Sequence, residues 1–215
     1  MNYKLVIFIR LRRPKSQGCG FLEAKALFIL NFFNMIFTAI EFAARAHAGQ
    51  FRKGTKIPYI IHPISVAKIL IEHGCSDELA IAGVLHDTVE DTRVTLEQIK
   101  HAFGIEVAKL VASASEPNKS DLWENRKQHT LDMLKTAPRE VLLLVCADKL
   151  DNIRSIAEDY RKYGDSLWSR FSRPKAKQKW YFQSLATIFQ QRMNGDPDAP
   201  LFEEFDHEVR KMFGE

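Results

Sequence analysis

The side chains able to do chemistry are concentrated in three short stretches: His62-Pro63, His86-Asp87-Thr88-Val89-Glu90-Asp91 and Asp148-Lys149-Leu150-Asp151-Asn152. His62, His86, Asp87 and Asp148 together have the makings of a metal site. Imidazole nitrogen combined with carboxylate oxygen suits a borderline divalent ion such as Mn²⁺, Fe²⁺ or Zn²⁺, whereas an all-oxygen Ca²⁺ or Mg²⁺ cage has no use for histidine. The chemistry this implies is metal-assisted hydrolysis. Taken singly, each histidine is more often a hydrogen-bonded core or surface residue, and an Asp-Lys pair is usually a solvated turn. The argument rests on the set of four and on its placement at helix ends beside apolar runs.

That placement makes demands on the elements. Adjacent residues in a helix diverge by about 100°, so His86 and Asp87 reach one ion only where a helix is ending. The polar Thr88 to Asp91 stretch supplies the turn signal. Pro63 suits a first helical turn, which predicts a helix over 64–73 with His62 at its mouth and Gly74 closing it. Ser76 or Asp77 caps a following helix over 78–86. Thr95-Leu96-Glu97-Gln98 has the form of a capping box and opens a helix to about residue 103. Further helices are expected near 105–115, 122–136, 139–163, 174–193 and 202–213. Asn152 lies four residues after Asp148, so one helical face presents the carboxylate and the amide together. No strand alternation, internal repeat or low-complexity tract interrupts the pattern, and the fold class is an all-α bundle with its site between helices.

Length and composition bound the rest. With 215 residues and 46% hydrophobic content, the chain fills one domain and leaves little room for a second catalytic one. Thirty-one basic against 27 acidic side chains give a net charge of +4, too balanced to announce a nucleic-acid protein but compatible with an anionic small molecule. Cys19, Cys75 and Cys146 are odd in number and lack C-x-x-C spacing, which points to a reducing, cytoplasmic setting, and Cys146 reads as a small buried hydrophobe.

Residues 1–34 stand apart as an N-terminal extension of open role, with Met35 as an alternative start. Their apolar run precedes Arg10, Arg12 and Arg13 instead of following them, so no complete targeting signal is formed. The stretch 26–44 approaches the length of a membrane span, yet Asn31, Asn34 and Glu41 are costly in lipid, and a buried helix is the better reading.

Four segments carry a family resemblance: Ala46-His47-Ala48-Gly49-Gln50-Phe51-Arg52-Lys53, Pro58-Tyr59-Ile60-Ile61-His62-Pro63, Leu85-His86-Asp87-Thr88-Val89-Glu90-Asp91-Thr92 and Ala147-Asp148-Lys149-Leu150-Asp151-Asn152-Ile153-Arg154. Over about residues 36–193 the chain resembles the hydrolase domain of RelA/SpoT proteins, and more closely the stand-alone small alarmone hydrolases of the HD superfamily. Nothing here matches the synthetase and regulatory domains of the long proteins. The resemblance implies an HD-domain helical bundle and a Mn²⁺-dependent (p)ppGpp 3′-pyrophosphohydrolase. Such an enzyme cleaves a guanine nucleotide to GDP or GTP plus pyrophosphate, within the stringent response; another divalent metal remains an alternative.

Carried over residue by residue, the resemblance makes His62, His86, Asp87 and Asp148 the metal ligands and Glu90 and Asp91 the catalytic acidic pair. It makes Arg52 and Lys53 the basic pair that holds the nucleotide, and Asn152 and Ser155 further substrate contacts. A carboxylate at Glu90 or Asp91 accepts a proton from the attacking water; read without the family, the pair is a solvated acidic turn. Arginine stacks a planar guanidinium on a purine while lysine offers phosphate a compact charge.

The loop Gly54-Thr55-Lys56-Ile57-Pro58 departs from the usual family form, so its contacts do not transfer. Arg126 and Lys127 read as a basic helix face with a reach toward phosphate as the alternative, Trp180 and Tyr181 as packing, and His47 as structural. Two other functions stay open: an HD phosphohydrolase of broader nucleotide specificity, including NADPH 2′-phosphatase action, and a catalytically inactive nucleotide-binding module. The oligomeric state is not encoded in these motifs.

Overall fold

The computed structural model describes residues 34–115, 120–192 and 199–214. Everything expected of residues 1–33, Cys19 included, lies outside the described residues. From Met35 onward the elements below belong to one unit, Met35–Glu215. They are α1 over residues 34–46, α2 (Ile61–Glu72), α3 (Asp77–Leu85), α4 (Thr88–Asp91), α5 (Leu96–Phe103), α6 (Ile105–Ala114), α7 (Trp123–Leu134), α8 (Arg139–Tyr163), a 3₁₀ segment (Gly164–Arg170), α9 (Lys175–Arg192) and α10 (Ala199–Phe213). Among the described residues the only β pairing is a single antiparallel bridge between Phe51 and Pro58. The all-α expectation holds, and none of the described helices is long and apolar enough to cross a membrane.

α8 is the central element and packs against α2, α3, α6, α9 and α10. Its first half is apolar all round, and Val141 through Ala147 are all buried. From Asp148 onward only Leu150, Ile153 and Ile156 continue into the core. The opposite stripe of the helix is thereby released for a site.

α3 is buried without interruption from Leu79 to Leu85. Its approach to α2 needs the absence of a side chain at Gly83, where a Cβ would come within 2.9 Å of Leu70 Cδ1 and 3.3 Å of Ala67 backbone. A side chain there would overpack the contact at a cost of about 1–3 kcal/mol.

The start and stop signals act as their chemistry requires. The Ser76 side chain accepts from the Leu79 N–H and opens α3. Thr95 and Gln98 satisfy each other's backbone N–H groups in a capping box that opens α5. α2 ends as Gly74 turns to φ +69° and the Cys75 N–H bonds back to the Leu70 carbonyl.

Two local features differ from expectation. α2 begins at Ile61, so His62 lies within its first turn, not ahead of it. The stretch after Asp87 is a short helix instead of an open turn, because the Thr88 and Thr92 hydroxyls donate to the Leu85 and Thr88 carbonyls and keep the chain coiling. The 3₁₀ segment has no counterpart in the sequence reading.

Candidate metal centre and nucleotide cleft

α3 ends at Leu85, and the two-residue break His86-Asp87 before α4 lets both side chains turn to one point. The His86 ring Nδ1 lies 2.8 Å from the Gly83 carbonyl. A carbonyl only accepts, so Nδ1 carries the proton and Nε2 offers its lone pair. Buried Nε2 has no hydrogen-bond partner, although Asp87 Oδ2 is 3.0 Å away. The same logic holds on α2, where His62 Nδ1 lies 2.6 Å from Asp151 Oδ2 and Nε2 faces Asp148 Oδ1 at 3.2 Å and Asp87 Oδ2 at 3.6 Å.

Ligand atoms of His62, His86 and Asp148 all fall within 4.8 Å of one another. With Asp87 beside both histidines, the set fits a divalent metal ion: two imidazole lone pairs and two carboxylates converge, and a buried nitrogen stands without a hydrogen-bond partner.

Electrostatics agree with a cluster made for a cation. Burial disfavours charge on His86, yet the Asp87 and Asp148 carboxylates overcome it and push the ring up to about 9. Burial likewise opposes a charged His62, and its contacts with Asp148 and Asp151 raise it nonetheless. Asp87 is held far below the usual carboxylate range against its burial, chiefly by His86 and His62. Asp148 is held low by Lys149 and both histidines, again in spite of burial. The two buried carboxylates thus favour positive charge at this point, and a divalent cation would meet that demand.

Three supporting residues were not singled out from sequence. The Tyr59 hydroxyl donates to Asp87 Oδ2 at 2.6 Å, and its ring sits between those of His47 and His62. Burial, then the Asp87 charge, drives the Tyr59 phenol strongly upward, so it stays a donor. Asp151 orients His62, and Lys149 lies 2.7 Å from Asp148 Oδ2. Asp151 and Lys149 were legible as parts of the Asp148 motif, but nothing in their types told an orienting residue from a ligand.

Glu90 and Asp91, on α4, line the same cleft of about 410 Å³ as Tyr59, His62, Asp87 and Asp148. α4 is tied down by Gln50, which donates to the Asp91 carbonyl at 2.9 Å and lies 2.8 Å from His47 Nδ1. The structural reading of the buried His47 therefore holds.

At its other end this cleft shares Tyr59, Lys127, Lys149, Asn152 and Tyr181 with a second one of about 300 Å³. Arg52, Lys53, Asn152 and Ser155 all line that second cleft. Arg52 reaches Asp151 Oδ2 at 3.2 Å and Asn152 Oδ1 at 3.4 Å, and the Asn152 amide donates to Asp148 Oδ1 at 2.6 Å. Two short chains of contacts thus join the guanidinium to the metal cluster. Lys53 lies over the Phe171 ring at 5.7 Å. Lys127 is more than a solvated face residue: it borders both clefts and sits 5.2 Å above the Tyr181 ring. Tyr181 is buried, as expected of packing, yet it also lines both clefts.

The sequence model of the HD domain matches residues 39–173. The chain belongs to the HD domain family. Within that family its HD domain is 45% identical over 122 residues to the guanosine-3′,5′-bis(diphosphate) 3′-pyrophosphohydrolase of Aquifex aeolicus (strain VF5), covering 55% of this chain and 17% of that protein. It is 38% identical over 125 residues to the guanosine-3′,5′-bis(diphosphate) 3′-pyrophosphohydrolase MESH1 of Xenopus tropicalis, covering 57% of this chain and 69% of that protein. The structure of a metazoan ortholog of SpoT that hydrolyzes ppGpp superposes with a TM-score of 0.68 at 25% identity, covering 84% of this chain and 97% of that one. The chain spans only 14–17% of the length of the long curated relatives it matches.

Proposed function

We propose that this HD-domain protein removes the 3′-diphosphate of guanosine 3′,5′-bis(diphosphate) or its pentaphosphate counterpart, giving GDP or GTP plus pyrophosphate. The observation that carries the reading is the continuity of the two clefts. A His/Asp cluster suited to a divalent cation, with acidic side chains beside it, opens directly into a cleft lined by Arg52 and Lys53.

His62, His86, Asp87 and Asp148 would hold the ion, with Mn²⁺ as our assignment among divalent metals. When bound, such an ion lowers the pKa of water and offsets negative charge at the reacting phosphorus. Asp151 and the Gly83 carbonyl keep the histidine lone pairs turned inward, and Tyr59 holds Asp87 in place. Glu90 and Asp91 orient the attacking water and accept its proton. Arg52 and Lys53 bind the nucleotide, while Asn152 and Ser155 meet its ribose and phosphate from the same face of α8. Lys127 and Lys149 add positive charge where the clefts join. With that substrate the protein would act in the cytoplasm, on the nucleotides of the stringent response.

The test is incubation of the purified protein with guanosine 3′,5′-bis(diphosphate) and Mn²⁺, with products separated chromatographically and Asp87→Ala and Glu90→Ala as controls. GDP plus pyrophosphate, lost in both variants, is the expected result. Intact substrate in the presence of bound metal would overturn the reading, and a nucleotide panel including NADPH would then report the broader phosphohydrolase.

A further inference from the structure

The released stripe of α8 continues past the residues already assigned. Asp148, Asn152, Ser155 and Asp159 follow one another at four-, three- and four-residue steps, so they share one face of the helix. Asp148 and Asn152 line the first cleft; Asn152, Ser155 and Asp159 line the second. The eleven residue steps from Asp148 to Asp159 cover about 16 Å of helix axis. A nucleotide stretched from its 3′-phosphorus to the Watson–Crick edge of its base, with one contact at each end, has that reach.

Asp159 is an unusual choice for this position. Its side chain is 20% exposed, and around it the cleft is walled by the apolar Ile156, Leu167, Phe171 and Phe182. Apolar walls accept the faces of a purine, and Asp159 lines the same cleft.

Asp159 is also held in place. Its Oδ2 pairs with Arg170 Nη1 at 3.2 Å, and the Arg170 guanidinium lies 4.1 Å from the Tyr163 ring centre. Arg170 is pressed in turn against Gly54, whose φ of +71° and lack of Cβ admit it: a Cβ there would stand 2.6 Å from Arg170 Cδ. The loop whose sequence departs from the usual family form is therefore the part that locks Arg170 and, through it, Asp159.

We propose that Asp159 is the residue that selects guanine. A carboxylate offers two acceptor oxygens with several lone pairs, so one can serve Arg170 while both face a base. Guanine presents two neighbouring donors on its Watson–Crick edge, N1–H and the N2 amino group. Adenine presents an acceptor at N1, which meets the carboxylate with repulsion, and hypoxanthine keeps N1–H but lacks the amino group. The inference rests on the guanine-nucleotide reading above and adds to it the source of base specificity.

The experiment compares guanosine 3′,5′-bis(diphosphate) with its inosine counterpart on the metal-loaded full chain, by kcat/KM and, in parallel, by calorimetric binding. Wild type is expected to favour the guanosine nucleotide roughly tenfold to a hundredfold, the discrimination of a good paired base contact. Asp159→Asn, which replaces one acceptor by a donor, should bring the two nucleotides close to parity. Because a ratio within one variant does not change with the fraction of folded protein, a purely structural lesion leaves it intact. Arg170→Gln serves as the second variant and is expected to weaken both nucleotides while keeping a preference for guanosine.

A wild-type ratio near one, an unchanged ratio in Asp159→Asn, or a ratio abolished by Arg170→Gln but not by Asp159→Asn would overturn the proposal. A wild type that hydrolyses neither nucleotide defeats the hydrolase reading instead, and the binding ratio still decides the role of Asp159.

Discussion

The two clefts share one helix face and are built in opposite ways. The metal cleft is carved into the core: His62 and His86 are 2% and 3% exposed, they come from the buried helices α2 and α3, and each is fixed by a second atom on its far nitrogen. The second cleft is assembled from the 51–58 loop, the 3₁₀ segment and α9 against α8, and its cations are held by ring faces and a partly exposed ion pair. Interactions of the second kind are individually weak, on the order of 1 kcal/mol or less. On the proposed function, chemistry is lodged where geometry is rigid and recognition where it can vary, so changes in the second cleft should alter ligand preference without disturbing the His/Asp cluster.

The sharpest way to break that contrast is to strike the first cleft. Asp87→Ala is expected to lose both the bound metal, read by elemental analysis, and all measurable hydrolysis. It strands two histidine nitrogens and the Tyr59 hydroxyl together. Glu90→Gln should keep the metal and lower kcat by about 10²–10⁴-fold, the usual contribution of a positioned proton acceptor. Loss of metal in Glu90→Gln would make Glu90 part of the ion's shell and erase the separation between holding the cation and moving the proton. Asp151→Asn is expected to be milder than either, with about 10–100-fold lost in metal affinity or activity, since Asp151 orients His62 and is not itself a ligand.

Arg52 tests whether the clefts are independent. It contributes to the second but touches Asp151 and Asn152, which support the first. Arg52→Ala should raise KM about tenfold, as loss of a hydrogen bond to a charged group predicts, with a smaller fall in kcat. A kcat effect larger than the KM effect would show that its main task is to steady the metal cluster. Gly54→Ala acts on the second cleft alone, by strain at positive φ and collision with Arg170, and should cost about 1 kcal/mol of stability while raising KM at unchanged metal content.

The contrast also decides what the sequence could reveal. The His/Asp cluster was readable because helix ends must present its side chains together: His86-Asp87 alone is weak evidence, and the set completed by His62 and Asp148 carries the reading. The capping box at Thr95 and the stop at Gly74 were readable for the same local reason. Tyr59 was not, since a tyrosine beside a proline has many uses and its bond to Asp87 spans 28 residues of sequence. The second cleft was harder still. Arg170 and Asp159 come together through the 3₁₀ segment, which carries no periodic signal, and Lys127 is turned inward by the packing of α7 on α9, not by its own surroundings in sequence. Side-chain type fixed the chemistry of the core site, whereas tertiary packing determines the lining of the outer one.

The gentlest perturbation concerns the rim of the second cleft. Arg173, just beyond Phe171, grips Glu124 on α7 with two bonds, Nε to Oε1 at 2.8 Å and Nη2 to Oε2 at 2.9 Å. That grip lowers the Glu124 carboxyl from its ordinary 4.5 to about 2. A carboxyl depressed in the folded state binds its proton more readily when unfolded. Its stabilisation is therefore complete above pH about 4.5 and disappears as pH falls toward about 2. The Tm difference between wild type and Glu124→Gln should accordingly stay level from pH 7 to 5, shrink below that and diminish with added salt, because the pair faces solvent. α7 also carries Trp123 and Lys127 to the second cleft, so the same variant should raise KM slightly while metal content and kcat hold. A fall in kcat equal to that in kcat/KM would mean that motion at the rim reaches the metal cluster, and the two clefts would then have to be treated as one mechanical unit.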